Sequence, residues 1–185
     1  MRDTMSPNRW KGLSIGLVGG FAGTLAMGGY WRIAQAVLGS DPRAATRDDG
    51  PHALSDISLA VTHHTEEESS TAAMGRIAFT RLAGQPPKAP ETASTLSYVV
   101  HYGYGTAQGG LFGALSGGRA RRVLPEGAAY GTGMWLFGDE LGISLLGLAE
   151  GPGRYPLSQH LARWGAHIVY GVALATTTTV LRRIL

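Results

Sequence analysis

The sequence predicts an all-α protein, an integral-membrane four-helix bundle with an amphipathic surface helix in its long first loop. Three observations lead to this prediction. Long, largely apolar runs alternate with charged segments, and each run reaches the roughly 20 residues that a helix needs to cross a bilayer. Glycine accounts for 28 of the 185 residues, an excess that is common where membrane helices pack closely. Acidic and histidine residues stand inside two of the apolar runs, where an ionisable group needs a partner.

We predict a single membrane domain that covers residues 1–185, with an extramembrane loop at residues 40–91. Charged residues cluster in the N-terminal tail, in this loop, in the connection that precedes the third helix and at the C-terminus. The apolar segments between these clusters predict membrane helices at about residues 13–38, 92–118, 127–149 and 156–181.

The first helix is predicted from an apolar run that begins at Leu13 and continues to Leu38. Gly12, Gly16 and Gly20 recur at every fourth position, which lets a neighbouring helix approach closely. A basic start followed by an apolar stretch also fits a secretory signal peptide, and whether the segment is cleaved stays open. The run is longer than the apolar core of a signal peptide, so a transmembrane helix is the preferred interpretation.

The long first loop contains the predicted surface helix. Thr65 and Glu68 have the spacing of a capping box, with Thr65 as the N-cap and Glu68 at the third helical position. Met74 and Ile77 follow at helical spacing with Arg76 beside them. This pattern predicts an amphipathic helix that lies at the membrane surface.

The same loop holds His63 and His64 next to three glutamates. Adjacent histidines point apart on a helix, and no third residue has convincing ligand spacing. We therefore interpret these histidines as part of a solvated loop rather than as a metal site.

The second helix carries an unbroken glycine series on one face. In water such a helix would be weak, because each glycine costs about 1 kcal/mol relative to alanine. In lipid the series forms a groove that admits a neighbouring backbone. The positions predicted to serve helix packing in the first two helices are Gly16, Gly20, Gly105, Gly109, Gly113 and Gly117.

Ionisable side chains in the second to fourth helices form a candidate intramembrane polar site. If the third and fourth helices are an antiparallel hairpin with a rise of about 1.5 Å per residue, Asp139 lies level with His167. Glu140 then lies close to the level of Arg163. The candidate site consists of His101, Asp139, Glu140, His160, Arg163 and His167.

Three interpretations of this site stay open. A Glu140–Arg163 ion pair and an Asp139–His167 hydrogen bond would hold the helices in register, in an accessory or scaffold subunit. The Asp139–His167 pair would also suit a proton- or ion-handling channel or transporter. Alternatively, His101 and His167 would supply ligands to a haem or another metal.

The sequence predicts no catalytic residues, and it favours a protein that is not an enzyme. It has no Ser-His-Asp spacing, no phosphate loop and no dinucleotide-binding fingerprint, and its lack of cysteine excludes a thiol nucleophile. No cofactor is firmly implied. Nucleic acid is not an expected partner, because no basic stripe with interleaved aromatic residues is present.

Arginines in the N-terminal tail, after the second helix and at the C-terminus would lie on one side of a four-span bundle. The positive-inside rule assigns that side to the cytoplasm, so both termini are expected there. The expected partners are the lipid bilayer and other membrane helices, in a homo-oligomer or a larger complex.

Four short motifs in the second half of the chain are similar to one known family. They span residues 100–109, 135–141, 155–158 and 167–171, and read VHYGYGTAQG, WLFGDEL, YPLS and HIVYG. In their order and spacing the chain resembles the YagU-like family of small bacterial inner-membrane proteins.

This resemblance implies a multi-helix integral protein of the bacterial inner membrane. The family brings no established activity that could be carried over. Its pattern has a histidine, an acidic pair and a second histidine at the positions of His101, Asp139, Glu140 and His167.

Overall fold

The computed structural model describes residues 8–44, 53–62, 64–65, 68–117 and 122–185. All regular secondary structure in these ranges is helical, which confirms the all-α class. The α-helices are α1 (Arg9–Leu38), α2 (Ser70–Ala83), α3 (Pro90–Ser116), α4 (Val123–Met134), α5 (Gly142–Leu145) and α6 (Leu157–Ile184). The remaining elements are a π-helical segment at Trp135–Glu140 and single 3-10 turns at Pro42–Ala44 and Pro152–Arg154.

Helix α1 has a cap at each end. The side chain of Asn8 accepts a hydrogen bond from the backbone N–H of Lys11 at 3.0 Å, and Gly39, with a φ of 72°, ends the helix. The cap at Asn8 lets the helix begin before the predicted start at residue 13. By length and composition, α1 is the one helix in the described part of the chain that could cross a membrane.

The predicted start of the surface helix is wrong. Helix α2 has Ser69 as its N-cap, whose hydroxyl accepts the N–H of Ala72, and Thr65 lies before the helix. The carboxylate of Glu68 receives two bonds from Arg76, at 2.9 and 2.7 Å, and also accepts a backbone hydrogen bond from Thr65, which lies outside the helix. A paired guanidinium–carboxylate contact is stronger than a bond to one backbone N–H, so it determines where Glu68 points.

The single helix predicted over residues 127–149 is interrupted in the structure. Helix α4 ends at Met134, and the backbone then widens so that the N–H of Leu141 bonds to the carbonyl of Leu136 at 3.1 Å. After the short α5 the chain turns at Gly147, which has a φ of 68°. Glycine is frequent in this stretch and weakens a regular helix, so tertiary contacts determine its shape.

Helices α3 and α6 correspond to the helices predicted at residues 92–118 and 156–181, with shifted ends. Gly117, a predicted packing position, ends α3 with a φ of 63°. Its carbonyl carbon would lie 3.1 Å from a Cβ placed on Gly12, so the position still contacts α1.

The chain divides into two compact units. Unit 1 contains residues 8–42, 104–117, 122–133 and 162–185 of the described chain. Within it α1 runs antiparallel to the end of α3, because Gly12 meets Gly113 whereas Gly20 meets Gly105. The unit's remaining segments, from α4 and α6, are likewise antiparallel to each other.

Unit 2 contains residues 43–44, 53–62, 64–65, 68–103 and 134–161 of the described chain. Here α2 packs on the first half of α3, where a Cβ on Gly75 would lie 2.9 Å from the Cβ of Leu96. The rest of the unit is built from the π-helical segment, α5 and the turns before α6. Hydrogen bonds from side chains and loop backbone connect these short elements.

Candidate functional site

The predicted glycine positions of α1 and α3 contact each other inside unit 1. A Cβ added to Gly16 would lie 2.9 Å from the Cα of Gly113, and one added to Gly20 would lie 2.9 Å from the Cα of Gly109. A Cβ on Gly20 would also lie 2.5 Å from the carbonyl oxygen of Gly105. The two series are therefore used within the chain, where they bring one backbone directly against another.

A second glycine contact, between α4 and α6, was not predicted from the sequence. A Cβ on Gly127 would lie 2.8 Å from the Cα of Val172, and one on Gly131 would lie 2.7 Å from the carbonyl carbon of His167. Gly171 faces Gly127 from the other helix. Gly127 and Gly131 have the same four-residue spacing as the predicted series, so this signal was present in the sequence.

Two tyrosines add polar contacts to unit 1. Tyr170 is 1% exposed, and its hydroxyl donates to the carbonyl of Gly105 at 2.6 Å. The hydroxyl of Tyr130 donates to the carbonyl of Gln108 at 2.6 Å, and its ring meets Phe112 edge-on. Neither tyrosine was predicted as a site residue, because tyrosine in an apolar helix carries no spacing signal of its own.

Of the predicted site residues, His167 and Arg163 lie in unit 1, on α6. The Nδ1 atom of His167 lies 2.8 Å from the carbonyl oxygen of Arg163, one turn earlier. A carbonyl can only accept, so Nδ1 carries the hydrogen, and in the neutral ring Nε2 is then an acceptor.

The centre of the polar site in unit 2 is the carboxylate of Glu140. This residue is 6% exposed, and its Oε1 accepts the indole N–H of Trp135 at 2.8 Å. Nδ1 of His160 lies 2.9 Å from the same carboxylate. The wide π-helical turn makes the Trp135 contact possible, because donor and acceptor lie five residues apart along it.

His160 is surrounded by acceptors. Its Nε2 lies 3.1 Å from the carbonyl oxygen of Pro152 and 3.2 Å from that of Tyr155, while Nδ1 faces Glu140. A ring hydrogen on Nε2 would donate to these carbonyls, and one on Nδ1 would donate to the carboxylate.

A second histidine–carboxylate pair was not predicted. Nε2 of His64 lies 3.4 Å from Oε1 of Glu150, and its Nδ1 lies 3.1 Å from the carbonyl oxygen of Gly147. The His64 side chain is 6% exposed, so its interpretation as part of a solvated loop is wrong. Its partners lie far along the chain, and no local pattern points to them. The hydroxyl of Ser144 lies within hydrogen-bonding distance of the carbonyls of Glu140 and Glu150, at 3.1 and 2.7 Å.

The remaining predicted residues, His101 and Asp139, lie in unit 2, on α3 and the π-helical segment. The His101 ring is half-buried and meets Tyr102 edge-on. The structure thus brings together Glu140 and His160, whereas Asp139 and His167 belong to different units. In the described ranges, no three His, Cys, Asp or Glu side chains are grouped so that they could hold a metal ion.

The ion pair of Glu68 and Arg76 lies outside this cluster, at α2. The side chains are 15% and 33% exposed, and their shortest contact is 2.7 Å. The hydrogen bond from Arg76 holds the pKa of Glu68 below its ordinary value, against the opposing effect of burial.

Comparisons with protein-family models, with curated proteins and with solved structures found no match. The class of protein is therefore defined by the chain's own features. Over the residues that the structure describes, it is all-helical, with one helix long and apolar enough to cross a membrane, close glycine contacts between helices, and a buried histidine–carboxylate pair.

Proposed function

We propose that this chain is a multi-span protein of the bacterial inner membrane that serves as an accessory or scaffold subunit. The observation that carries the proposal is the inverted distribution of side chains in unit 1. Glycines line the contacts between helices, while large apolar side chains point outward.

The outward side chains of α1 and α3 illustrate this inversion. Phe21 is 49% exposed, Leu25 51% and Leu115 76%, although Gly20 and Gly113 on the same helices are buried. A protein folded in water gains stability by burying large apolar groups. In lipid the surroundings are as apolar as the protein interior. Helices there gain more stability from close backbone contact than from burying large apolar side chains.

The order of the helix contacts supports a topology with both termini at one end of unit 1, and the positive-inside rule assigns that end to the cytoplasm. The start of α1 lies at the end of α6, where Nζ of Lys11 donates to the carbonyl of Leu185 at 2.8 Å. Within unit 1 the helix segments alternate in direction, and of the described helices α1 alone has the length and composition of a membrane span.

The polar residues support a structural role. The hydrogen bonds of His160 hold the turn that leads into α6, and those of His64 hold the turn after α5. The resemblance of the sequence motifs to the YagU-like family points to the same class of small inner-membrane proteins.

Cysteine labelling tests the location and the orientation, because the natural chain has no cysteine. Leu82 and Leu185 are 90% and 71% exposed, on α2 and at the C-terminal end. The protein should stay in the membrane fraction after an alkaline wash. An impermeant maleimide should label Leu82→Cys in intact cells, and Leu185→Cys only after cell disruption. Recovery of the protein in the soluble fraction would refute the membrane location, and the reverse labelling would refute the orientation.

The accessory role is tested by measuring protein mass in mild detergent with light scattering. An accessory or scaffold subunit should elute as a homo-oligomer or as part of a defined complex. A homogeneous particle containing a single 19.4 kDa chain, from gently solubilised native membranes, would contradict the role.

The Glu140–His160 pair favours proton handling as a second candidate function. Its imidazole and carboxylate lie 2.9 Å apart, the carboxylate is buried, and such pairs suit proton relays in membranes. In proteoliposomes this function requires dissipation of a pH gradient faster than in empty liposomes.

Glu140→Gln should abolish such a flux, whereas Glu126→Gln, at the start of α4, should not. Asp139→Asn and His167→Ala test the pair favoured by the helix spacing. A wild-type flux equal to that of empty liposomes would exclude proton handling, and a flux unaffected by Glu140→Gln would exclude this pair as its path.

A further inference from the structure

Four basic residues lie together at one end of unit 1. The start of α1 meets the end of α6, where Nζ of Lys11 donates to the carbonyl of Leu185 at 2.8 Å. Further along the same pair of antiparallel helices, a Cβ on Gly19 would lie 2.6 Å from the Cγ2 of Thr178. This register places the first turn of α1 level with the last turn of α6. The basic residues of these two turns, which we call the basic end, are Arg9, Lys11, Arg182 and Arg183.

Few carboxylates balance the charge of the basic end. Within the described part of unit 1 the acidic residues are Asp41 and Glu126. Asp41 lies beyond the opposite end of α1, and Glu126 accepts the backbone N–H of Arg122 in the first turn of α4. The sequence at residues 1–7 and 118–121 contains three arginines and one aspartate, so it adds no compensating negative charge. The basic end therefore has a net positive charge that an external anion can balance.

Exposed apolar side chains lie beside these cations. Trp10, in the first turn of α1, is 80% exposed, and Ile184, which follows Arg183, is 70% exposed. Val180, one turn earlier on α6, is 49% exposed. A nucleic acid or a soluble anion would match the charges but not these apolar groups. A lipid with an anionic headgroup and acyl chains matches both, and tryptophan is enriched at that boundary.

The spacing of two tryptophans on α1 fits the same partner. At about 1.5 Å per residue, Trp10 and Trp31 are about 31 Å apart along the helix, close to the bilayer's hydrocarbon thickness of about 30 Å. Arg32 follows Trp31 and is exposed. With the two tryptophans at the two interfaces, the basic end lies at the level of the lipid phosphates.

We propose that the basic end binds the headgroup phosphate of an anionic phospholipid, with the acyl chains of that lipid on the neighbouring apolar side chains. Arginine binds phosphate through paired, charge-assisted hydrogen bonds. Each basic group at the membrane surface also adds to the attraction for anionic lipid, and salt screens this attraction. The binding rests on the membrane location proposed above and adds a chemical preference that the location alone does not require.

A fluorescent label beside the basic end measures which lipid lies there. The natural chain has no cysteine, and Val180→Cys places a label one turn from Arg183. The full-length protein is reconstituted in phosphatidylcholine vesicles with a small share of a quencher lipid. This lipid is either phosphatidylglycerol or phosphatidylcholine, with a nitroxide at the same acyl position. Quenching by the phosphatidylglycerol probe should exceed quenching by the phosphatidylcholine probe about fivefold, because basic groups attract anionic headgroups.

Two double variants and a salt series assign this preference. Arg9→Gln with Arg183→Gln should lower the ratio to less than about twofold. Arg32→Gln with Arg81→Gln removes the same charge elsewhere and should leave the ratio unchanged. All four arginines are exposed, so neither pair should alter the fold. Raising the salt concentration from about 0.1 M to about 1 M shortens the screening length from about 10 Å to about 3 Å and should also lower the ratio.

Equal quenching by the two probes in the labelled, otherwise natural chain would overturn the lipid preference. So would a preference that persists in Arg9→Gln with Arg183→Gln, or one that is lost in Arg32→Gln with Arg81→Gln. Failure of the membrane location has a different signature. Protein that separates from the vesicles on flotation, or that neither probe quenches, would refute the location and the lipid binding together.

Discussion

The two units differ in what holds their elements together. In unit 1, long helices meet through glycine, and a Cβ on Gly109 would lie 2.5 Å from the backbone N of Gly20. In unit 2, the elements between α3 and α6 are short and are held by histidine–carboxylate pairs and by backbone bonds to residues 54–59 of the long loop. Unit 1 is therefore stabilised by close backbone contact at positions without side chains. Unit 2 is stabilised by hydrogen bonds between side chains and loop backbone.

This difference predicts different sensitivities. A single added methyl group should damage unit 1, where the opposing surface is backbone that cannot rotate away. The same methyl group should matter little on an open part of the same helix. In unit 2, substitutions should be tolerated where they preserve hydrogen bonding and should be costly where they leave a buried polar group unpaired.

The largest effect is expected for Gly16→Ala. The new Cβ would lie 2.9 Å from the Cα of Gly113, so the helices must separate, at a cost of about 3 kcal/mol. Gly28→Ala is the matched control, because nothing lies within 4 Å of a Cβ there and alanine is the better helix former. Unfolding by denaturing detergent, followed by circular dichroism, measures both. Equal stability of the two variants would show that the close contact contributes nothing.

The next effect concerns Glu140. Glu140→Ala leaves the N–H of Trp135 and the ring of His160 without their buried acceptor, which should cost about 2 kcal/mol. Glu140→Gln keeps an acceptor for the indole and offers a donor to a neutral imidazole, so its cost should be less than half as large. The same unfolding assay compares the two. If Glu140→Gln is as damaging as Glu140→Ala, the negative charge rather than the hydrogen bonding stabilises unit 2.

These two regions were also unequally predictable from the sequence. The helical class and the glycine series of α1 and α3 are visible because they are local and periodic. The partner of Glu140 is not. Counting residues about the turn treats the third helix as regular to residue 149, whereas the structure has a π-helical segment and then a turn at Gly147.

The histidines illustrate the same limit. His160 was predicted as a site residue without a partner, and in the structure its Nδ1 lies 2.9 Å from the buried Glu140 carboxylate. His64 was interpreted as solvated, yet it is closed against Gly147 and Glu150, more than eighty positions along the chain. Such contacts arise from the path of a loop, which neither spacing nor composition records.

A smaller loss of stability is expected when a polar contact of unit 1 is removed. Tyr170→Phe removes the hydroxyl that donates to the Gly105 carbonyl at 2.6 Å and leaves the ring in place. The expected loss is about 1 kcal/mol, the net value of one hydrogen bond. Tyr98→Phe is the control, because Tyr98 is 66% exposed. A loss for Tyr170→Phe comparable with that of Gly16→Ala would mean that unit 1 relies on polar contacts as much as unit 2 does.

The smallest effect is a pH dependence at α2, in unit 2. The pKa of Glu68 is lowered from 4.5 by its hydrogen bond with Arg76, so the pair's stabilisation is fully present above that value and is lost as the pH falls through the lower folded-state value. Both side chains are partly exposed, so the contribution should be about 0.5 kcal/mol. Hydrogen exchange at the N–H of Ala73, in the first turn of α2, should therefore lose protection below about pH 4.5 in the natural chain.

In Arg76→Gln that protection should already be reduced at neutral pH and should change less in acid. Arg81→Gln, in the last turn of the same helix, changes the net charge equally and should keep the acid-dependent loss. If Arg76→Gln and the natural chain lose protection in parallel as the pH falls, the Glu68–Arg76 bond is not its source.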